Sequence, residues 1–128
     1  METLQRKARL FFETKARPAS VTFDDGKDWR RNMPWLRYAG SNWSYPEPDM
    51  LRIEIDEWIV MLSGHNLGPL FAAIEEQTLA SVRAHPEWGD ARDRELDSFV
   101  TAIRFAPASA FAPQVKRKAP RQLGLGRE

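Results

Sequence analysis

The chain contains no cysteine. That single absence excludes disulfides, thiol catalysis and every zinc or iron–sulfur site built on thiolates. It also fits a reducing cytoplasm, the compartment the sequence leads us to expect. Histidine is nearly absent as well: only His65 and His85 occur, twenty residues apart and outside any HExxH pattern, a weak basis for a metal centre. Motifs built on glycine are missing too, with no P-loop, no Rossmann fingerprint and no G-x-S-x-G elbow. No apolar run is long enough for a signal peptide or membrane helix, and Met1 is followed by the charged Glu2, Arg6 and Lys7. The carboxylate pairs Asp56/Glu57 and Glu75/Glu76 are adjacent in sequence and so point apart on a strand or helix; neither is a ready acid–base pair. The expectation is a protein that is not an enzyme, that needs no cofactor or metal, and that has no membrane segment.

What is present is a well-patterned middle between basic flanks. The net charge of +1 conceals a segregation: residues 1–48 sum to +3, residues 49–105 to −6 and residues 106–128 to +4. A chain of 128 residues buries roughly two-thirds of its unfolded surface, enough for a core without metals or disulfides. The reading places one compact domain over 1–106 and a flexible Ala/Pro/Gly-rich basic tail over 107–128, whose composition buries too little apolar surface to offset ordering.

The most regular stretch runs from Met50 to Pro86. Leu51, Ile53 and Ile55 alternate with Arg52, Glu54 and Asp56, and Trp58, Val60 and Leu62 repeat the period of two. With Asp56-Glu57 as a two-residue turn, Ile55 faces Trp58, Ile53 faces Val60 and Leu51 faces Leu62, so that one register makes every core-side pair apolar. Asp-Glu is a poor sequence for a primed turn, which leaves a longer or bulged loop open. Ile59 and Met61 are apolar on the other face and predict a central, doubly covered strand. Beyond Ser63-Gly64-His65-Asn66 the period changes. Leu67, Leu70, Phe71, Ile74, Thr78 and Val82 fall at three-to-four spacing and predict one long amphipathic helix over 66–85, capped by Asn66 and stopped by Pro86.

Elsewhere the pattern is weaker. Residues 2–17 favour a helix, with a strand from Arg9 to Lys15 as the competing reading. A strand is predicted over 19–24, a turn at Asp24-Asp25-Gly26-Lys27, a second strand over 28–38 interrupted at Pro34, a loop at Gly40-Ser41-Asn42 and a stiff connector over 45–49. Residues 98–105 match both a strand and a helical stripe, and their Val, Thr and Ile favour the strand. The fold expected is therefore α+β: an antiparallel sheet of four or five strands with the helix 66–85 packed on one face.

Three constellations are candidates for function. Trp29, Arg30, Arg31, Trp35, Arg37 and Trp43 interleave rings with guanidinium groups, a pairing that serves partner recognition or base stacking and equally serves core packing. Lys116, Arg117, Lys118 and Arg121 in the tail could neutralise phosphates. Gly64, His65 and Asn66, at the expected strand-to-helix turn, form a candidate anion site, with chain reversal as the plainer role. The first-placed expectation is a binding or adaptor protein that contacts a protein partner through the aromatic–arginine region and its basic termini. The alternative is a nucleic-acid accessory protein with salt-dependent contacts through the tail, opposed by the acidic middle. A small enzyme using His65 comes third.

Overall fold

A computed structural model describes residues 11–87 and 98–110. It holds eight strands in two four-stranded sheets: β1 (Phe12–Thr14), β2 (Ser20–Asp24), β3 (Arg30–Pro34), β4 (Tyr38–Asn42), β5 (Met50–Ile55), β6 (Trp58–His65), β7 (Leu79–Arg83) and β8 (Phe99–Pro107). The first sheet has the order β1-β7-β2-β3 and the second the order β4-β5-β6-β8. Neighbours are antiparallel throughout except β2 and β7, which run parallel. One eight-residue helix, α1 (Gly68–Glu75), carries the chain from β6 in the second sheet to β7 in the first.

The sheet-and-long-helix expectation is overturned. The fold is mostly β, and among the described residues no long helix packs on a sheet. The helix predicted over 66–85 stops at Glu75 because Gln77 enters the left-handed region (φ 56°). The Thr78 N–H then bonds the Ala73 carbonyl (2.9 Å) and the Gln77 N–H bonds that of Ile74 (3.0 Å), the two bonds of a Schellman termination. Leu67, Leu70 and Ile74 do form a buried stripe, but Thr78 and Val82 continued it only by coincidence of spacing. Val82 belongs to β7, where it pairs with Phe12 on one side and Phe23 on the other. Nor does Asn66 cap the helix: Leu67 occupies that position without a side-chain bond.

The strand predicted over 28–38 is two strands in different sheets. Pro34 ends β3, a 3-10 turn over Trp35–Arg37 reverses the direction, and the chain enters the second sheet as β4. Gly40-Ser41-Asn42, expected as a loop, lies inside β4 and pairs with Glu54, Ile53 and Arg52 across a bulge. At the N-terminal side, Phe12–Thr14 is strand rather than helix; the rest of the predicted helix before residue 11 lies outside the described residues, as does the tail beyond residue 110.

The β5–β6 hairpin has the register that the apolar pairs predicted, with Leu51 opposite Leu62, Ile53 opposite Val60 and Ile55 opposite Trp58. Its connection is the two-residue turn, with Asp56 at φ 53° and Glu57 at φ 68°. Two consecutive left-handed residues are what a primed hairpin turn requires. Six facing pairs impose that geometry on residues with little liking for it, at a cost of roughly 1–2 kcal/mol each. Of residues 98–105, expected as strand, all but Ser98 lie in β8.

Both sheets turn their apolar side chains into one core. Val21, Phe23 and Met33 from the first sheet, Leu51, Ile53, Val60 and Leu62 from the second, and Leu67, Leu70 and Ile74 from α1 are all buried in it. Completely burying a side chain of this kind contributes about 1.5–3 kcal/mol before ordering entropy is subtracted. The two layers do not close fully on each other. The β3 edge of the first sheet and the β8 edge of the second border an open mouth, and the candidate site lies there.

Candidate binding cleft

The site begins with a turn. Between β2 and β3 the chain reverses through Asp25-Gly26-Lys27-Asp28, and Asp25 holds it: its Oδ1 accepts the N–H groups of Lys27 (2.8 Å), Asp28 (2.8 Å) and Trp29 (3.0 Å). Asp24 Oδ1 accepts the Gly26 N–H at 2.8 Å. Gly26 takes φ 78° and runs so close to β7's end that a Cβ there would lie 2.6 Å from the Ala84 carbonyl oxygen. Partial burial pushes the Asp25 carboxyl up, but the bonded N–H groups of Trp29, Lys27 and Asp28, with the Lys27 ammonium, outweigh it and hold the group below the ordinary aspartate value. This carboxylate is occupied with the turn, and its charge offsets part of that of the neighbouring Lys27.

The rigid turn delivers Trp29 and Arg31 to the mouth between the sheets. Arg31 pairs with Phe23 across β2–β3 and so sits on the inward face of an edge strand. Its guanidinium carbon lies 4.3 Å from the ring centre of Trp58, 4.5 Å from that of Trp29 and 5.1 Å from that of Phe105. Phe105 meets Trp58 and Phe23 edge-on, at 6.3 and 6.5 Å, which ties this aromatic box to the core. Arg31 Nε is buried and has no hydrogen-bond partner among the described residues, and no carboxylate among them forms an ion pair with Arg31. Three rings thus fix a cation in place while its hydrogen-bonding edge stays unused.

A cleft of about 480 Å³ opens beside it, lined by Asp25, Lys27, Trp29 and Arg31 on one side and by Ala102, Ile103, Arg104 and Phe105 of β8 on the other. Its chemistry is an apolar wall with three cationic groups and one carboxylate, that of Asp25. A smaller polar hollow of about 190 Å³ adjoins it, where Arg30 and Arg83 stand near Asp24 and Asp28. Arg30 lies 3.8 Å from Asp24 and is largely exposed.

Of the six residues in the predicted aromatic–arginine cluster, only Trp29, Arg30 and Arg31 come together. Trp35 is core: it is 6% exposed, and its Nε1–H donates to the Leu79 carbonyl at 2.9 Å. Arg37 reaches the β5–β6 turn, 3.3 Å from Glu57 and 3.8 Å from Asp56. Trp43 covers α1, its ring 5.3 Å from Phe71 and its Nε1–H bonded to the Pro48 carbonyl at 2.9 Å. Phe105, Arg104 and Lys27 belong to the site and were not singled out from sequence. The alternation over 98–105 does place Phe105 on one face of a strand, but nothing local shows that this face meets Arg31.

The predicted anion site at Gly64-His65-Asn66 is not a helix N-terminus. Gly64 and His65 are the last residues of β6, paired with Val100 and Phe99. The His65 ring lies 5.6 Å from that of Phe99, and the Asn66 carbonyl accepts the Ser98 hydroxyl at 2.6 Å. Gly64 is there because its sheet neighbour β8 comes so close at the register shift that the Phe99 carbonyl fills the space of a Cβ. Lys116, Arg117, Lys118 and Arg121 lie outside the described residues. Among the described residues no group of three His, Cys, Asp or Glu side chains could hold a metal ion, and no helix is long and apolar enough to cross a membrane. No protein-family model, curated protein or solved structure matches the chain.

Proposed function

We propose that the protein is a binding module for an acidic protein partner, and that the cleft between β3 and β8 is where it binds. The observation that carries this reading is Arg31, a guanidinium gripped by Trp29, Trp58 and Phe105 with its buried Nε unsatisfied. A desolvated donor without an acceptor costs about 1–3 kcal/mol, and a ligand carboxylate on the same guanidinium would form a charge-assisted bond that helps to offset it. Lys27 and Arg104 on either side favour the same sign of ligand, and the apolar wall of Ala102, Ile103 and Phe105 favours side chains over phosphates.

The acidic run of the sequence does not oppose this, because the fold draws Arg83 and Arg104 out of it to the Lys27–Arg31 region. The nucleic-acid reading has less support: one ring of the box, Trp29 at 55% exposed, is open to stack on a base, while Arg31 sits over all three. The test is selection from a displayed library of random peptides on immobilised protein, with the Arg31→Met variant as counter-selection. Enrichment of sequences rich in Asp and Glu that the variant fails to retain is expected. Recovery of the same peptides by both proteins, or no enrichment alongside tight binding of an oligothymidine, would overturn the reading.

A further inference from the structure

The cleft has a feature beyond its charge: one of its walls is the unpaired edge of a long strand. β8 ends the second sheet, with β6 on one side and no strand of the described residues on the other. Its first turn of edge is used, since the Val100 carbonyl accepts the His85 N–H at 2.8 Å, and its far end is followed by Ala108, whose N–H bonds the Glu57 carbonyl at 2.9 Å. Between these points residues 101–107 run along the mouth. Four of them, Ala102 to Phe105, form its wall, and the stretch is long enough to pair with an average strand of about five residues.

The other three edges carry the devices that protect edges from pairing. β1 is three residues long, β3 ends in Pro34 and bears Arg30 and Arg31, and β4 is bent by a bulge between Tyr38 and Gly40. β8 is nine residues long, has one charge, Arg104, and meets a proline only at its last residue, Pro107, which leaves six residues, 101–106, ahead of it. Its irregularity opposite Ser63 and Gly64 is confined to the end already covered. An edge left open beside an unpaired cation is a place for a strand that brings its own carboxylate.

Resting on the reading of an acidic partner, we propose that the partner binds as an extended segment added to the β8 edge over residues 101–106, with a carboxylate on the Arg31 guanidinium. Pairing along the edge satisfies backbone N–H and C=O groups that a phosphate chain cannot match. Successive side chains of the added strand alternate, so one set lies on the face of Phe105 and Arg31 and the other on the opposite face, with Arg104. A second copy is a poor occupant, because antiparallel pairing of two β8 edges would bring two copies of Arg104 and the flanking cations together.

The test uses the full-length protein labelled with nitrogen-15 and a blocked eight-residue peptide alternating glutamate and valine. Two further peptides carry N-methyl groups on every glutamate or on every valine. Expected results are shifts and slowed exchange of the amides over 102–106, a shift of the Arg31 Nε–H resonance, and a loss of affinity of at least tenfold for one N-methylated peptide with less than threefold for the other. Equal binding of both N-methylated peptides and the parent would overturn the added strand while leaving the acidic-partner reading, which the library selection decides, intact. No binding by the parent peptide, or shifts that leave 102–106 unmoved, would also overturn it.

Discussion

Gly64 offers the sharpest stability prediction. β8 runs beside this residue so closely that the Cβ of an alanine would overlap the Phe99 carbonyl oxygen and lie 2.8 Å from Val100 Cα and 3.0 Å from Phe99 C. Ordinary carbon–carbon contacts are about 3.5–4.0 Å, and relieving the overlap with the carbonyl oxygen as well would move β8 by more than about 1 Å. The obstacle is backbone and has no rotamer to change. Phe99 and Val100 are also fully buried, so a shift of β8 would disturb the core on its inner side. Overpacking of this kind costs about 1–3 kcal/mol, and loosening one or two ladder bonds adds about 1 kcal/mol each. Gly64→Ala should therefore lower stability by about 3 kcal/mol or more, with a fall in Tm of roughly 10 °C for a chain of this size. The matched control is Gly68→Ala at the start of α1, where the nearest atom to a new Cβ is Trp43 Cη2 at an ordinary 3.6 Å. Helix propensity makes that change neutral or stabilising by up to about 1 kcal/mol. Urea unfolding followed by circular dichroism measures both. A Gly64→Ala variant within about 1 kcal/mol of the parent, with unchanged m, would refute the close approach of β6 and β8 described above.

Three further outcomes follow from single residues. Arg31→Met removes a buried donor with no partner and keeps an apolar stem in the aromatic box, so urea unfolding should show stability unchanged or raised within about 1 kcal/mol; a loss above about 2 kcal/mol would make Arg31 a structural cation. Asp25→Ala should cost about 1 kcal/mol at neutral pH by freeing three N–H groups. Because folding depresses the Asp25 pKa, its contribution is present above the unfolded value of 3.8 and is lost as pH falls through the lower folded value, so the gap between the two urea midpoints should hold above about pH 5 and shrink below it. Gln77→Gly should raise stability by about 0.5–1 kcal/mol, read as a shift in Tm, because glycine adopts the left-handed terminating position without steric cost.

Local pattern showed what local forces decide. The β5–β6 hairpin was legible to the residue, because a one-residue slip would turn Leu51, Ile53 and Ile55 to solvent. The turn at Asp24–Lys27 was legible for its aspartates and glycine. The helix end was not, since Gln77 rather than glycine takes the left-handed position and no residue type marks it. β7 was hidden for a related reason: Leu79 and Val82 sit three apart, a helical spacing, and the strand exists through its parallel pairing with β2, nearly sixty residues away. The division of 28–38 between two sheets was equally invisible, although Pro34 marked the break. The candidate site was half legible. Trp29 and Arg31 stood out together, but the ring that completes the box, Phe105, arrives through β6–β8 pairing, which no nearby residue reports.

In the proposed complex Arg31 receives a partner's carboxylate in the cleft beside β8. The most direct test of this contact is a fluorescence anisotropy titration of the labelled glutamate–valine peptide against the parent protein and the Arg31→Met variant, at low and moderate salt. A charge-assisted bond worth about 1.5–3 kcal/mol predicts at least a tenfold loss of affinity in the variant and a weaker salt dependence than the parent shows. Equal affinities for a variant that is as stable as the parent would contradict the claim.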